Sequence, residues 1–265
     1  MMLSVFFPPI GGVVLGLIAL RQGPQIASQV IIGSLGLVAL VLLLSSFNPK
    51  TLLLFCLGIM LPIFLVTLVL RVTQSQGMMI AVAGLLGISS VLYTHSQVDS
   101  LAANYRQVVE SLWQEDILPK LSTDVTEDKT KAMKQTLDNF IPFINGIRAG
   151  FLTAGIILIV LFARWWQAKA FNPGGFRPEF LSLSLPKWIL LPLAICAGMV
   201  FKDGLVDDSI ARDCLIVLMV LYVFQGIACV HAFVVRRPEQ RGWLFGMYIS
   251  LIFISFYAAV ILACI

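Results

Sequence analysis

The sequence has few charged residues and only two histidines. Of its 265 residues, 12% are charged, with 18 Lys and Arg against 14 Asp and Glu. A soluble domain carries about 25% charged residues. The net charge of +4 arises from scattered basic residues without a run of five, so we expect no binding to nucleic acid. The scarcity of charge argues against an ordinary soluble domain.

Motifs for catalysis and metal binding are also missing. The five cysteines form no CxxC pair, which argues against a zinc site. Neither a GxSxG nor an HExxH motif occurs, and two histidines leave little room for histidine-based catalysis. We therefore expect no enzyme activity, no catalytic residue, no metal and no cofactor.

Apolar residues dominate the chain instead. They make up 59% of the residues, and the mean hydropathy is +0.94. A soluble chain of this length could not bury so much apolar surface, so the lipid bilayer is the expected environment. A spanning helix requires about 20 apolar residues. The fold class is predicted as all-α, a polytopic transmembrane bundle of about eight spans, near residues 4–20, 25–46, 51–70, 77–95, 144–166, 186–202, 209–235 and 242–264.

A polar insert of about fifty residues separates the fourth and fifth predicted spans. Apolar residues recur in it at three- and four-residue spacing, first at Val98, Leu101, Tyr105, Val108 and Leu112, then from Met133 to Ile144. This pattern predicts two amphipathic helices, hence a helical hairpin on the outer membrane face or on the bundle, or else a lid or partner-binding element. The chain then divides into a four-helix half (1–96), the insert (97–143) and a second four-helix half (144–265).

Basic residues in the short loops predict the orientation, because such loops are enriched in Lys and Arg on the cytoplasmic side. Alternating spans place nine of them inside: Arg21, Arg71, Arg164, Lys169, Arg177, Lys187, Arg236, Arg237 and Arg241. The insert and both termini then lie outside. A multi-pass protein of a bacterial inner membrane is expected.

Polar side chains within spans are costly, so they are the candidate binding residues. Asn145 and Arg148 open the fifth span, Arg212 lies near the start of the seventh, and Gln225 lies midway along the seventh. We predict a pocket in the outer half where Asn145, Arg148 and Arg212 meet a small polar cargo above Gln225. Alternatively, the Gln225 amide bonds a neighbouring helix.

Two glycine-containing stretches are candidate partner-binding elements. Gly12 and Gly16 form a GxxxG pattern, which indicates close packing within the bundle or docking of another membrane subunit. Asn172, Gly174, Gly175 and Arg177 lie in the cytoplasmic loop FNPGGFRPEF. The loop is interpreted as a shaped interhelical turn, a docking site for a cytoplasmic partner, or an anion-binding nest beside Arg177.

That loop, followed by Leu-Ser-Leu-Pro-Lys-Trp, resembles the central loop of the YybS-like (DUF2232) bacterial membrane proteins. Gln225-Gly226 with His231 is similar to that family's later signature. The family is in turn similar in helical architecture to the substrate-binding S subunits of energy-coupling-factor vitamin transporters. The resemblance implies a cargo-binding, transport-related membrane subunit that works with partner subunits.

Two rival functions follow from the same features. A non-transporting scaffold or assembly protein would bind other membrane proteins through its outer hairpin and its cytoplasmic loop. A lipid-modifying or lipid-binding membrane enzyme would require a polar cluster open to the bilayer. A filled helical core would favour the scaffold, and a polar pocket would favour cargo binding.

Overall fold

The computed structural model describes residues 7–43, 49–117, 127–203, 208–240, 242–253 and 255–264, and these form helices without any strand. The predicted all-α class is therefore confirmed. The helices are α1 Phe7–Arg21, α2 Pro24–Leu43, α3 Pro49–Thr73, α4 Gln76–Gln97, α5 Leu101–Leu112, α6 Glu127–Phe140, α7 Ile144–Phe171, α8 Phe176–Leu181, α9 Leu190–Asp203, α10 Ile210–Arg236, α11 Gly242–Phe253 and α12 Ser255–Cys264.

Within the described residues, three helical stretches are long and apolar enough to cross a membrane. They lie at Gln76–Gln97, Asp128–Phe171 and Ile210–Arg236. The first and third correspond to the predicted fourth and seventh spans, and the second contains the predicted fifth span together with most of α6. Three shorter apolar helices lie in the predicted first, third and eighth spans, at Pro9–Arg21, Gly58–Thr73 and Gly242–Phe253. Residues 4–6, 44–46 and 254 of the predicted spans lie outside the described residues. The total of eight spans stays a prediction.

Packing divides the chain into two compact units, of which the first comprises residues 1–86, 152–187 and 219–265. In this unit α1 lies against α3 and α7 at its glycines. A Cβ on Gly12 would lie 2.7 Å from Ile63 Cδ1 and 3.1 Å from Ile159 Cγ2, and one on Gly16 would lie 2.9 Å from Ala163 Cβ. Moving four residues along α1, from Gly12 to Gly16, moves the contact four residues along α7, from Ile159 to Ala163. The two helices therefore run parallel.

The end of α1 is held by Arg71 on α3. Its Nη1 donates to the carbonyl oxygens of Ala19 at 2.9 Å and Leu20 at 2.6 Å. These carbonyls belong to the last turn of α1, whose acceptors have no partner further along the helix. Gly23, with φ +104°, then reverses the chain before α2 begins at Pro24, a residue suited to the first helical position.

The second unit comprises residues 87–151 and 188–218. Its apolar core contains Val91, Ala149, Cys214 and Val217. The predicted insert forms α5 and α6 in this unit. The two helices are joined by an ion pair, in which Lys134 Nζ on α6 lies 3.0 Å from Glu110 Oε2 on α5. The turn expected to join these helices, residues 118–126, lies outside the described residues. The hairpin and the division at residues 96 and 143 stay predictions.

Candidate functional site

A buried carboxylate, Asp213 in the first turn of α10, is the centre of a polar cluster in the second unit. The residue is 1% exposed. Its Oδ2 accepts a hydrogen bond from Asn145 Nδ2 on α7 at 2.8 Å and lies 3.0 Å from His95 Nε2 at the end of α4. Three helices therefore converge on one oxygen atom.

The guanidinium of Arg212 lies on the other side of this carboxylate. Its Nη2 is 3.7 Å from Asp213 Oδ1, and the same nitrogen donates to the carbonyl oxygen of Pro142. Its Cζ lies 5.1 Å from the centre of the Phe143 ring. Arg212 is 3% exposed, so the opposite charge of Asp213 and these contacts replace water around it.

Arg148 joins the cluster one helical turn along α7 from Asn145. Its Nη2 lies 2.7 Å from Thr94 Oγ1, 3.3 Å from Ser90 Oγ and 3.0 Å from Asn145 Oδ1. The amide of Asn145 thus accepts from Arg148 and donates to Asp213. This connects the exposed guanidinium to the buried carboxylate through one side chain.

The start of α5 is attached to the cluster by Asp208. Asp208 has φ +59°, in the left-handed region that Asp adopts more readily than most residues. Its carboxylate accepts from Ser100 Oγ and from the Ala102 N–H, both at 2.6 Å. Partial burial raises the pKa of this carboxyl, but these hydrogen bonds outweigh that effect, so its pKa lies below the ordinary value.

Gly146 allows α7 and α10 to approach each other at Asp213. A Cβ there would lie 2.9 Å from the Asp213 Cα and 3.0 Å from its Oδ1. Among the described residues, Oδ1 has no hydrogen-bond donor. The cluster surrounds a cavity of about 10 Å³, lined by Tyr105 and Ile141 among others. That is about the volume one water molecule requires.

The structure brings together three of the four predicted substrate-binding residues, namely Asn145, Arg148 and Arg212. Gln225 belongs to the first unit, where its Oε1 accepts from the Leu185 N–H at 2.8 Å. Leu185 lies in the non-helical stretch after α8, so both the ligand contact and the bond to a neighbouring helix stay predictions. His95 was missing from the prediction, because 118 residues separate it from Asp213 and no local motif links them.

The FNPGGFRPEF loop forms a tight turn followed by the short helix α8. Gly174 has φ +88°, and the Gly175 N–H donates to the Asn172 carbonyl at 3.0 Å. Asn172 and Arg177 are exposed. The structure therefore has the shaped turn, while partner docking and anion binding there stay predictions.

An ion pair that no sequence pattern predicted holds α8. Arg164 on α7 donates to both carboxylate oxygens of Glu179, from Nε at 3.0 Å and also from Nη2. Gln76 Nε2 lies 3.5 Å from the same carboxylate. This pairing fixes α8 against α7 and α4 within the first unit.

Gly12 and Gly16, the other predicted partner-binding residues, face α3 and α7 inside the first unit. Close packing within the chain is thus present at this GxxxG pattern. Docking of another subunit there stays a prediction.

Within the described ranges, no group of three or more His, Cys, Asp and Glu is placed to hold a metal ion. A family model described as "Predicted membrane protein (DUF2232)" matches residues 1–265. The resemblance inferred from the central loop is thereby confirmed, while the likeness to S subunits stays a prediction. No curated protein and no solved structure matches the chain.

Proposed function

Because the chain belongs to the DUF2232 family of predicted membrane proteins, we propose that it is a substrate-binding, transport-related membrane subunit for a small polar molecule. It would span a bacterial inner membrane about eight times, with the α5–α6 insert and both termini outside. The cluster around Asp213 would be its binding site. We assign this cluster to binding rather than catalysis, since the sequence carries no recognised catalytic motif.

The direction of the helices supports the alternating spans. Alternation requires the first, third and fifth spans to run the same way through the membrane. In the first unit α1 advances along α7 from Gly12–Ile159 to Gly16–Ala163, and Gly12 and Gly16 likewise approach Ile63 and Thr67 on α3. These three helices are therefore parallel, as the first, third and fifth spans must be.

The observation that carries the binding site is the concentration of buried charge around Asp213. Charged groups within a membrane protein are expensive and mark sites of substrate or ion binding. Arg212 and Asp213 are 3% and 1% exposed, and replacing a buried ion pair by apolar residues is often neutral or stabilising. Packing alone would not require these residues. Asp213 Oδ1 also has remaining capacity to accept a hydrogen bond from a ligand.

In this proposal α5 is the cover of the site. Its residues Leu101, Ala102 and Tyr105 line the small cavity, and Asp208 holds its first turn through Ser100 and Ala102. A cavity of about 10 Å³ is far below the roughly 300–1,000 Å³ of pockets for organic ligands. Release of the Asp208 contacts would let α5 move and enlarge the site.

The test is native mass spectrometry of the full chain extracted gently from membranes. We expect a small molecule at one copy per chain, and we expect Arg148→Ala to lose it. Arg148 is exposed, so its replacement should disturb the fold less than replacement of the buried Arg212 would. Arg236→Ala, at the exposed far end of α10, is the matched control and should retain the molecule.

A chain that carries no small molecule, or one whose bound molecule survives both substitutions, would contradict the cargo site. The scaffold hypothesis is favoured by one specific observation, namely that the cluster's side chains already fill the space between them. Its proposed partner surfaces are exposed: Val108 and Leu112 on α5 are each 48% exposed, and Phe140 on α6 is 56% exposed. A protein partner lost on Arg177→Ala or on deletion of the insert, with no bound molecule, would establish the scaffold.

A further inference from the structure

We propose that the groove between α1 and α7 binds an anionic phospholipid, with an acyl chain along the groove and the phosphate at its basic end. The groove has a volume of about 720 Å³ and lies entirely within the first unit. That volume is within the range of ligand pockets, about 300–1,000 Å³. The inference does not depend on the proposed cargo site, because the two share no residue.

Two apolar stripes form the walls of the groove. On α1, Ile10 and Val14 recur at four-residue spacing, and on α7 Leu158 and Phe162 do the same. Residues four apart lie above one another on one helical face. All four side chains are 46–62% exposed. The opposite stripe of α1, Gly12 and Gly16, is in contact with its neighbours, so the exposed stripe remains available for an acyl chain.

Basic side chains lie at the end of the groove where both helices finish. Arg21 ends α1, and its Cζ lies 4.1 Å from the centre of the Phe171 ring at the end of α7. Lys169 Nζ lies 5.2 Å from the ring centre of Trp165, which lines the groove. The orientation predicted from the short loops puts both cations on the cytoplasmic side, where anionic lipids are enriched.

Charge complementarity decides the class of lipid. None of the described residues that line this groove is acidic. By contrast, the groove among α10, α11 and α12, of about 790 Å³, has an acidic residue, Glu239, in its lining. Basic pockets between transmembrane helices bind anionic headgroups. Trp165 and Trp166 are suited to the headgroup level, because the indole combines an apolar ring with an N–H donor.

The experiment is a lipid titration of the detergent-solubilised full chain, followed by native mass spectrometry. The probes are phosphatidylglycerol and phosphatidylcholine with identical acyl chains. A basic residue near a membrane surface contributes a factor of about five in affinity. We therefore expect phosphatidylglycerol to bind about 25-fold more tightly, and Arg21→Gln/Lys169→Gln to reduce its affinity about 25-fold. Lys187 is an exposed cation outside the groove, so Lys187→Gln should leave the affinity for both lipids unchanged.

A second pair of variants tests the acyl chain. Val14→Phe places a larger side chain in the groove and should weaken both lipids, whereas Val30→Phe, on the exposed side of α2 at 38% exposure, should not. Equal affinity for the two lipids would overturn the assignment. It would be overturned equally by a phosphatidylglycerol preference that survives the double substitution, or by binding that Val14→Phe leaves unchanged. If the double variant does not fold, Val14→Phe and the single variant Lys169→Gln still test the proposal. Lys169→Gln should lower the affinity for phosphatidylglycerol about fivefold.

Discussion

Gly146 lies where α7 packs against α10 in the polar cluster, and replacing it by alanine should push these two helices apart. A Cβ there would lie 2.7 Å from Ile216 Cδ1, 2.9 Å from Asp213 Cα and 3.0 Å from Asp213 Oδ1. The isoleucine methyl is the end of a flexible side chain and can rotate away. The Asp213 Cα is backbone, so Gly146→Ala requires α7 and α10 to move apart.

Two opposing effects set the magnitude of this change. Replacing Gly by Ala inside a helix stabilises it by about 0.8–1 kcal/mol. Overpacking a filled interior costs about 1–3 kcal/mol. Gly155, also within α7, has no atom within 4 Å of its prospective Cβ. Gly155→Ala should therefore have the helix stabilisation of alanine without the overpacking cost. The free energy of unfolding of Gly146→Ala should be lower than that of Gly155→Ala by about 1–3 kcal/mol.

The assay is equilibrium unfolding of the two variants in the same mixed detergent, with the unsubstituted chain alongside. Gly155→Ala should be as stable as the unsubstituted chain or more stable, and Gly146→Ala less stable than Gly155→Ala. If Gly146→Ala unfolds at the same denaturant concentration as Gly155→Ala, the close approach of α7 and α10 at Asp213 is refuted. The arrangement of the cluster would then require revision.

Two further predictions concern the α5–α6 insert. The folded pKa of Asp208 is lowered, so its contribution to holding α5 is complete above the ordinary Asp pKa of about 3.9 and is lost as pH falls through the folded pKa. Hydrogen exchange of residues 101–112, corrected for intrinsic rates, should therefore rise only below about pH 4, and Asp208→Asn should remove that dependence. For the second prediction, both side chains of the Lys134–Glu110 pair are exposed, at 42% and 44%. Lys134→Gln should then leave the denaturant midpoint of unfolding nearly unchanged, and a clear drop in that midpoint would contradict a surface pair.

The long apolar helices could be predicted from the sequence because they are bounded by strong local signals. The predicted spans at 77–95 and 209–235 correspond to α4 and α10 within three residues at each end. Helix α7 begins at residue 144, where the fifth span was predicted to begin, but it continues past residue 166 to Phe171. Its amphipathic end carries Trp165 and Lys169, which suit both a helix and the membrane boundary. Hydropathy therefore located these three helices to within a few residues, with the largest difference at the C-terminal end of α7.

The composition of the polar cluster could be predicted only in part. Asn145, Arg148 and Arg212 were identifiable because each is polar at the start of an apolar run. His95 follows the apolar part of α4, and nothing near it in sequence indicates a partner 118 residues away. The approach of α7 to α10 at Gly146 is equally invisible, since glycine has the same local preferences whether or not a backbone atom lies 2.9 Å from its prospective Cβ.

The basic residues fall into two groups by their contacts. One group bonds polar atoms inside the chain, and the other is available to bind a ligand. Arg71 bonds the carbonyls that end α1, and Arg164 bonds the Glu179 carboxylate. Replacing either removes a partner from a polar group inside the chain, which costs stability. Arg21 and Lys169 instead lie over aromatic faces, which orient a cation without neutralising its charge. A positive-inside bias alone accounts for a basic residue at a loop, but not for two cations fixed over rings at the end of one apolar groove. Loss of lipid affinity without loss of stability is therefore the result that separates the lipid site from general charge bias.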